Sequence, residues 1–243
     1  MDSPGQAEAA APPRSAVQSI WGVLLAPEKT FRALAARPQW LAALILLVVA
    51  ALVLSLVLTP RLDMRQVIRD AMEKQGQEIP EAQLERQIEL AESSKWVGTI
   101  SQVVLQPAIY LLMAGVFLVV FRLTGSEIDF RRSLAVTVHG MMPFLLATLL
   151  TIPILLTRPR VAMEDVQDGS FLPSNLGFLA SESTGKAMHS LLASCDLFSL
   201  WTIALLALGY RIVGKVSAAA AWGVVLTLWA IVVAGKITLA SIF

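Results

Sequence analysis

The sequence predicts an all-α polytopic membrane protein: a bundle of five transmembrane helices, with short amphipathic helices in the first loop and near the N-terminus. Four stretches, 38–60, 96–121, 133–157 and 216–235, each run 20 or more residues without Asp, Glu, Lys or Arg. A fifth, 187–210, is interrupted only by Asp196. At about 1.5 Å of rise per residue, each makes a helix of about 30 Å or more, the thickness of a hydrocarbon core. The 243-residue chain is also 56% apolar and 15% charged, against about 45–50% and 25% for an average soluble domain.

Residues 1–15 are rich in Ala, Pro and Ser, carry Asp2 and Glu8, and contain no apolar run. They read as a disordered cytoplasmic tail rather than a cleaved signal peptide. In the segment 16–38, Val17, Ile20, Trp21, Leu24, Leu25, Phe31 and Leu34 recur at helical spacing, with a break at Pro27. Two forms suit this pattern. One is an amphipathic element on the membrane surface with Trp21 and Phe31 in the acyl boundary. The other is a cap packed against the bundle.

The transmembrane domain is expected over 39–243, with spans at about 40–58, 97–121, 133–156, 188–210 and 216–235. Trp40 anchors the first span at an interface and Pro60 ends it. The segment 61–97 then carries eight acidic and six basic side chains. Met64, Val67, Ile68, Ala71 and Met72 make one apolar stripe, and Gly76 breaks it. Pro80 opens a second helix with Leu84, Ile88 and Ala91 on one face. A charged helical hairpin over 61–96 is expected, able to extend spans one and two beyond the bilayer. Its charged faces are either solvated or a docking surface for another protein.

In span two, Gly98, Gln102, Gln106 and Tyr110 fall at successive i, i+4 positions and form a polar or small face. Pro107 is expected to kink it and free a carbonyl one turn earlier. Span three contains His139, Pro143 and Pro153 and is expected to bend near Pro143. The segment 158–186 reads as an exposed irregular loop. Small residues at 217–221, with Ala204, Ala207 and Gly209, are expected to let spans four and five approach closely. With a cytoplasmic N-terminus, the inner segments carry net charges of +1, +1 and +2, and the outer ones −2, −1 and +1. That bias favours N-terminus in, C-terminus out.

Three segments, taken in order, resemble bacterial Yip1-family membrane proteins. The first is Leu25-Ala-Pro27-Glu-Lys-Thr-Phe31-Arg-Ala-Leu34, followed by Arg37-Pro38 and a span. The second is Thr124-Gly125 through Phe130, then Ser133-Leu134 and Pro143-Phe144-Leu145. The third is Asp196-Leu-Phe198-Ser-Leu-Trp201 through Gly209. The resemblance covers about 20–234. It implies five transmembrane helices, a cytoplasmic N-terminus and a short non-cytoplasmic C-terminus, in a bacterial cytoplasmic (inner) membrane. Eukaryotic members are linked to vesicle traffic and Rab GTPases, a role not carried to this chain because its charged insert departs from the compact eukaryotic pattern.

The candidate intramembrane polar site consists of Asp196, Gln102, Gln106, Tyr110 and His139. A carboxylate inside a span costs roughly 2.5–3.5 kcal/mol on insertion scales unless it is paired, neutral or hydrated. Asp196 is therefore either a proton- or ion-linked site or a structural hydrogen bond to Gln102, Gln106 or carbonyls freed near Pro107. A metal site of His139, His189 and Asp196 is excluded by depth, because the two histidines lie near opposite ends of their spans. His189 and Asp196, about 10 Å apart at helical rise, share a helix face and could line one cavity but not hold one ion directly. Arg131, Arg132, Arg211 and Lys215 make a cytoplasmic basic rim suited to lipid headgroups.

The sequence contains no His-Glu-x-x-His, Gly-x-Ser-x-Gly, P-loop or Cys-x-x-Cys pattern. Cys195, the one cysteine, lies in an apolar span where a thiolate is disfavoured. No cofactor is implied, and a net charge of +1 does not favour nucleic acid. The expected role is a non-enzymatic adaptor or organiser of membrane-protein or lipid assemblies. Its partners would be the lipid bilayer and another membrane protein or a second copy of itself. The alternative is a small transporter or channel component with a polar path centred on Asp196.

Overall fold

The computed structural model describes residues 15–74, 80–168, 171–179 and 184–242. Within these residues the chain is built from helices. The tail 1–14 and Gly76 lie outside the described residues.

Helix α1 (Ala16–Leu25) starts at a capping box. Ser15 Oγ accepts from the Gln18 amide at 3.2 Å, and Gln18 Oε1 accepts from the Ser15 amide at 3.0 Å. Pro27 stands in the first turn of α2 (Pro27–Ala36), where its missing N–H costs nothing. The N-terminal segment is thus two helices. Their inner faces are buried: Ile20 and Val23 on α1, Phe31 and Leu34 on α2. Phe31 is 0% exposed, so it does not point into the acyl boundary as one of the two expected forms required. Trp21 does remain outside, in line with Val17 and Leu25 at i, i+4, i+8. The segment is a cap packed on the bundle that presents a second apolar stripe outward.

Among the described residues, four helices are long and apolar enough to cross a membrane: 41–61, 81–123, 130–157 and 218–238. The first is α3 (Leu41–Leu58) with a 3₁₀ turn at Thr59–Arg61. A short helix α4 (Met64–Lys74) follows. Helix α5 (Glu81–Leu123) runs 43 residues without a break, about 65 Å at helical rise. The second arm of the charged hairpin and span two are therefore one helix, continuous through Pro107. Arg65 of α4 pairs with Glu85 and, at 3.5 Å, with Glu81, holding the two arms together.

The third of these is α6 (Phe130–Gly140) and α7 (Met142–Thr157), separated by Met141 with Pro143 in the first turn of α7. This is the bend expected near Pro143. A short helix α8 (Met163–Asp168) leads into the next loop. The expected fourth span is not one helix. Helix α9 (Lys186–Ser194) ends at Cys195, and α10 (Leu197–Val213) begins after Asp196. Hydropathy is continuous across 187–210, but the backbone is not. Helix α11 (Ala218–Ile242) is the last element described.

The loop after α7 is less exposed than its composition predicts. Val161 is buried, and its amide donates to Arg61 O at 2.9 Å. The stretch around Asn175 pairs antiparallel with the α9–α10 break: Leu197 N donates to Ser174 O at 2.9 Å, and Leu176 N to Cys195 O at 3.2 Å. A broken helix leaves backbone groups without partners, and this loop satisfies them.

The core lies where α2, α5, α6 and α10 meet. Tyr210 stacks on Phe121 at 4.3 Å between ring centroids and lies 4.9 Å from Phe117. Its hydroxyl is 2.8 Å from Ser133 Oγ and 2.9 Å from Thr137 Oγ1, while Ser133 Oγ donates to Ala114 O at 2.7 Å. Away from this core the long helices expose apolar flanks, including Val49, Val104, Leu112 and Val232. Large apolar surfaces of this kind are stable against hydrocarbon rather than water.

Candidate functional site

Asp196 is a helix cap. Its backbone is extended, at φ −113° and ψ 143°, and its Oδ2 accepts from the Ser199 amide at 2.8 Å and from Ser199 Oγ at 2.9 Å. Asp is among the best N-cap residues, because its oxygen takes up an amide that the first turn leaves free and its charge complements the helix dipole. The expected hydrogen bond from Asp196 to Gln102 or Gln106 is replaced by this local one. The break also puts His189 and Asp196 on different helices, so they share no helix face. Cys195 sits at the same break, half-buried, not within a continuous apolar span.

A cavity of about 1010 Å³ opens between α3, α5, α7, α10 and α11. Gln102, Gln106, Tyr110 and Asp196 all line it. Four of the five expected polar residues are thus brought to one chamber. Gln106 Nε2 donates to the Tyr110 hydroxyl at 3.1 Å, the i, i+4 contact their spacing allows. His139 is not among the lining residues: it is 2% exposed, in the buried run of α6, with Nδ1 2.9 Å from Ala135 O. A site uniting His139 with Asp196 is not formed.

Three further groups at this chamber escaped the sequence reading. Thr202 and Ser199 on α10 face it, and Lys236 of α11 lines it together with Asp196. Thr202 lies three residues after Ser199, a spacing that puts the two on one face of α10. Beside the cavity, Thr99 of α5 bonds to Ser55 of α3 at 3.1 Å and to Thr59 of the 3₁₀ turn after it at 2.8 Å. These buried hydroxyls pair two membrane helices side to side.

The basic rim divides. Arg132 is half-buried, pairs with Asp129 at 2.5 Å, and donates from Nε to Ala35 O at 3.0 Å, tying α6 to the end of α2. Arg131, Arg211 and Lys215 are exposed. Arg211 and Lys215 border a shallow cleft with Glu28 and Arg32. Arg32 donates to Glu28 at 2.6 Å and, chiefly through that bond, holds the Glu28 carboxyl below its usual value. At the same end, Ser126 Oγ donates to Gly214 O at 2.6 Å and joins the two short loops.

The resemblance residues now have places. Pro27 and Pro143 each open a helix. Phe198 is buried and Trp201 is packed on the core. Phe31 and Gly209 touch: a Cβ built at 209 would lie 2.7 Å from Val136 Cγ1 and 2.8 Å from Phe31 Cε1. Gly209 therefore makes room for α2 and α6, rather than for α11 as expected. The neighbouring close approach is Gly140, where a Cβ would lie 2.5 Å from Leu206 Cδ2.

Long apolar helices whose outward faces stay uncovered, and whose inward polar groups pair with one another, define a helical membrane protein. The family model described as the Yip1 domain matches residues 21–239, and the chain belongs to that family. No curated protein and no solved structure matches it.

Proposed function

We propose that this protein is a non-enzymatic organiser of membrane-protein or lipid assemblies in a bacterial cytoplasmic membrane. In this reading it crosses five times, with α10 as the fourth crossing. At 17 residues, α10 reaches about 26 Å, near the lower limit for a span. The higher Lys and Arg density of 122–132 and 211–215 supports an orientation with those loops and the N-terminus inside and the C-terminus outside. Segment 16–38 is the cytoplasmic cap, and its exposed Val17–Trp21–Leu25 stripe meets the membrane surface. Arg131, Arg211 and Lys215 would contact lipid headgroups.

One observation carries the organiser reading. Helix α5 is 43 residues long, about twice what a bilayer needs, and α4 is fastened along its outer half. A rigid charged hairpin held clear of the membrane offers a surface to a partner. The hydroxyls of Ser55, Thr59, Thr99, Ser133 and Tyr210, by contrast, are spent on hydrogen bonds between elements.

Extraction in mild detergent followed by light scattering tests this. The expected result is a stoichiometric partner or a homo-oligomer. Reversing charges on the exposed hairpin face, with Arg86→Glu and Glu89→Lys, should weaken that assembly while helix content stays unchanged. A bare monomer in every detergent would overturn the proposal. Asp196-dependent solute flux in proteoliposomes would favour the channel alternative instead.

A further inference from the structure

Two side-chain atoms are buried without a hydrogen-bond partner among the described residues: Gln102 Oε1 and Thr202 Oγ1. Both residues line the same cavity, and Thr202 is 4% exposed. Buried polar atoms in proteins are almost always paired, so each orphan marks a place where something else supplies the bond. Gln102 Oε1 can only accept, and therefore asks for a donor.

The rest of the chamber defines what that donor is attached to. Its walls are largely aliphatic, among them Leu47, Leu54, Ile203 and Val225. Its rim includes Ile109, Phe144 and Val232, which are 49%, 38% and 63% exposed. An opening framed by such side chains faces hydrocarbon rather than water. Asp196 and Lys236 also line the cavity, adding one charge of each sign. At about 1010 Å³, it stands at the top of the roughly 300–1,000 Å³ range of small-molecule sites, with room for a long chain.

We infer that the cavity holds one phospholipid whose head group carries a primary ammonium. Its acyl chain runs along the aliphatic wall and leaves through the apolar rim. Its N–H groups donate toward Gln102 Oε1 and the Asp196 carboxylate, and its phosphate is drawn to Lys236. A quaternary head group has no N–H and leaves the Gln102 acceptor unpaired. This inference goes beyond the organiser reading and does not require a protein partner.

Native mass spectrometry of the full chain in detergent, titrated with ethanolamine and choline phospholipids of identical chains, tests it. Wild-type protein should retain one ethanolamine lipid about tenfold more tightly than the choline lipid, the scale set by one unpaired buried acceptor. Gln102→Leu should bring the two affinities together. Asp196→Asn, which keeps the helix cap, should reduce the preference as well. Lys236→Gln should weaken both lipids alike, and Ala51→Trp, which fills the cavity, should abolish the bound lipid. Equal retention of the two lipids by the wild-type protein would overturn the proposal without reference to any variant. A preference untouched by both Gln102→Leu and Asp196→Asn would overturn it too. The readout is bound lipid, so its failure is distinct from the absence of a protein partner.

Discussion

The ring of Phe31 in α2 lies against the Cα of Gly209 in α10. A methyl group built at 209 would sit 2.8 Å from Phe31 Cε1 and 2.9 Å from Cζ. The two residues are far apart in the chain, and their contact seats the N-terminal cap on the bundle.

Gly209→Ala should displace Phe31 and destabilise the protein by about 1–3 kcal/mol, the usual cost of overpacking. The ring is fully buried and has little room to yield. Phe31→Ala alone should cost about 3–5 kcal/mol through the cavity it leaves. With Phe31 gone, Gly209→Ala should cost less but not vanish, since Val136 Cγ1 still lies 2.7 Å from the added methyl, so the double variant is less destabilised than the sum. Thermal unfolding of the four proteins in one detergent measures this coupling.

Asp196→Ala should remove the α10 cap and cost about 0.5–2 kcal/mol. Asp196→Asn keeps a capping oxygen and should stay close to wild type. Hydrogen exchange in the first turn of α10 follows the effect locally. Equal, large losses in both variants would mean that the charge, not the cap, stabilises this helix.

Tyr210→Phe should cost about 1–3 kcal/mol, because Ser133 and Thr137 lose a buried partner. Their hydroxyls lie 2.8 and 2.9 Å from the Tyr210 oxygen. Stacking on Phe117 and Phe121 needs only the ring, so helix content should not change. Near-ultraviolet circular dichroism and unfolding temperature together separate the two roles.

Acid should loosen α2. Arg32 holds Glu28 below its ordinary value of 4.5, so this contribution is complete above the ordinary carboxylate pKa. It is lost as pH falls through the lower, folded-state value. Because the pair is exposed, the change is small. Hydrogen exchange of α2 between about pH 5 and pH 3 should show it, and Glu28→Gln should abolish it.

Much of the architecture was legible because its signals are local. Uncharged stretches marked α3, the inner half of α5, the α6–α7 crossing and α11. Prolines marked the breaks at the starts of α2 and α7, and the i, i+4 spacing of Gln106 and Tyr110 put them on the one face where the structure adds a hydrogen bond between them. The break at 195 was hidden, because its Asp N-cap signal was buried in a run of continuous hydropathy. The Asp196–Ser199 bond satisfies the first turn of a helix that the apolar pattern alone does not reveal.

The sequence by itself determined that lipid faces most of these helices, since charge-free length is a property of each segment alone. It also put Gln102, Gln106 and Tyr110, which line the cavity, on one helix. Only the tertiary structure decided that Phe31 turns inward, that His139 stays apart, and that Thr202 and Lys236 join the chamber. Those outcomes depend on which helix faces meet across large sequence separations, and no local periodicity specifies that.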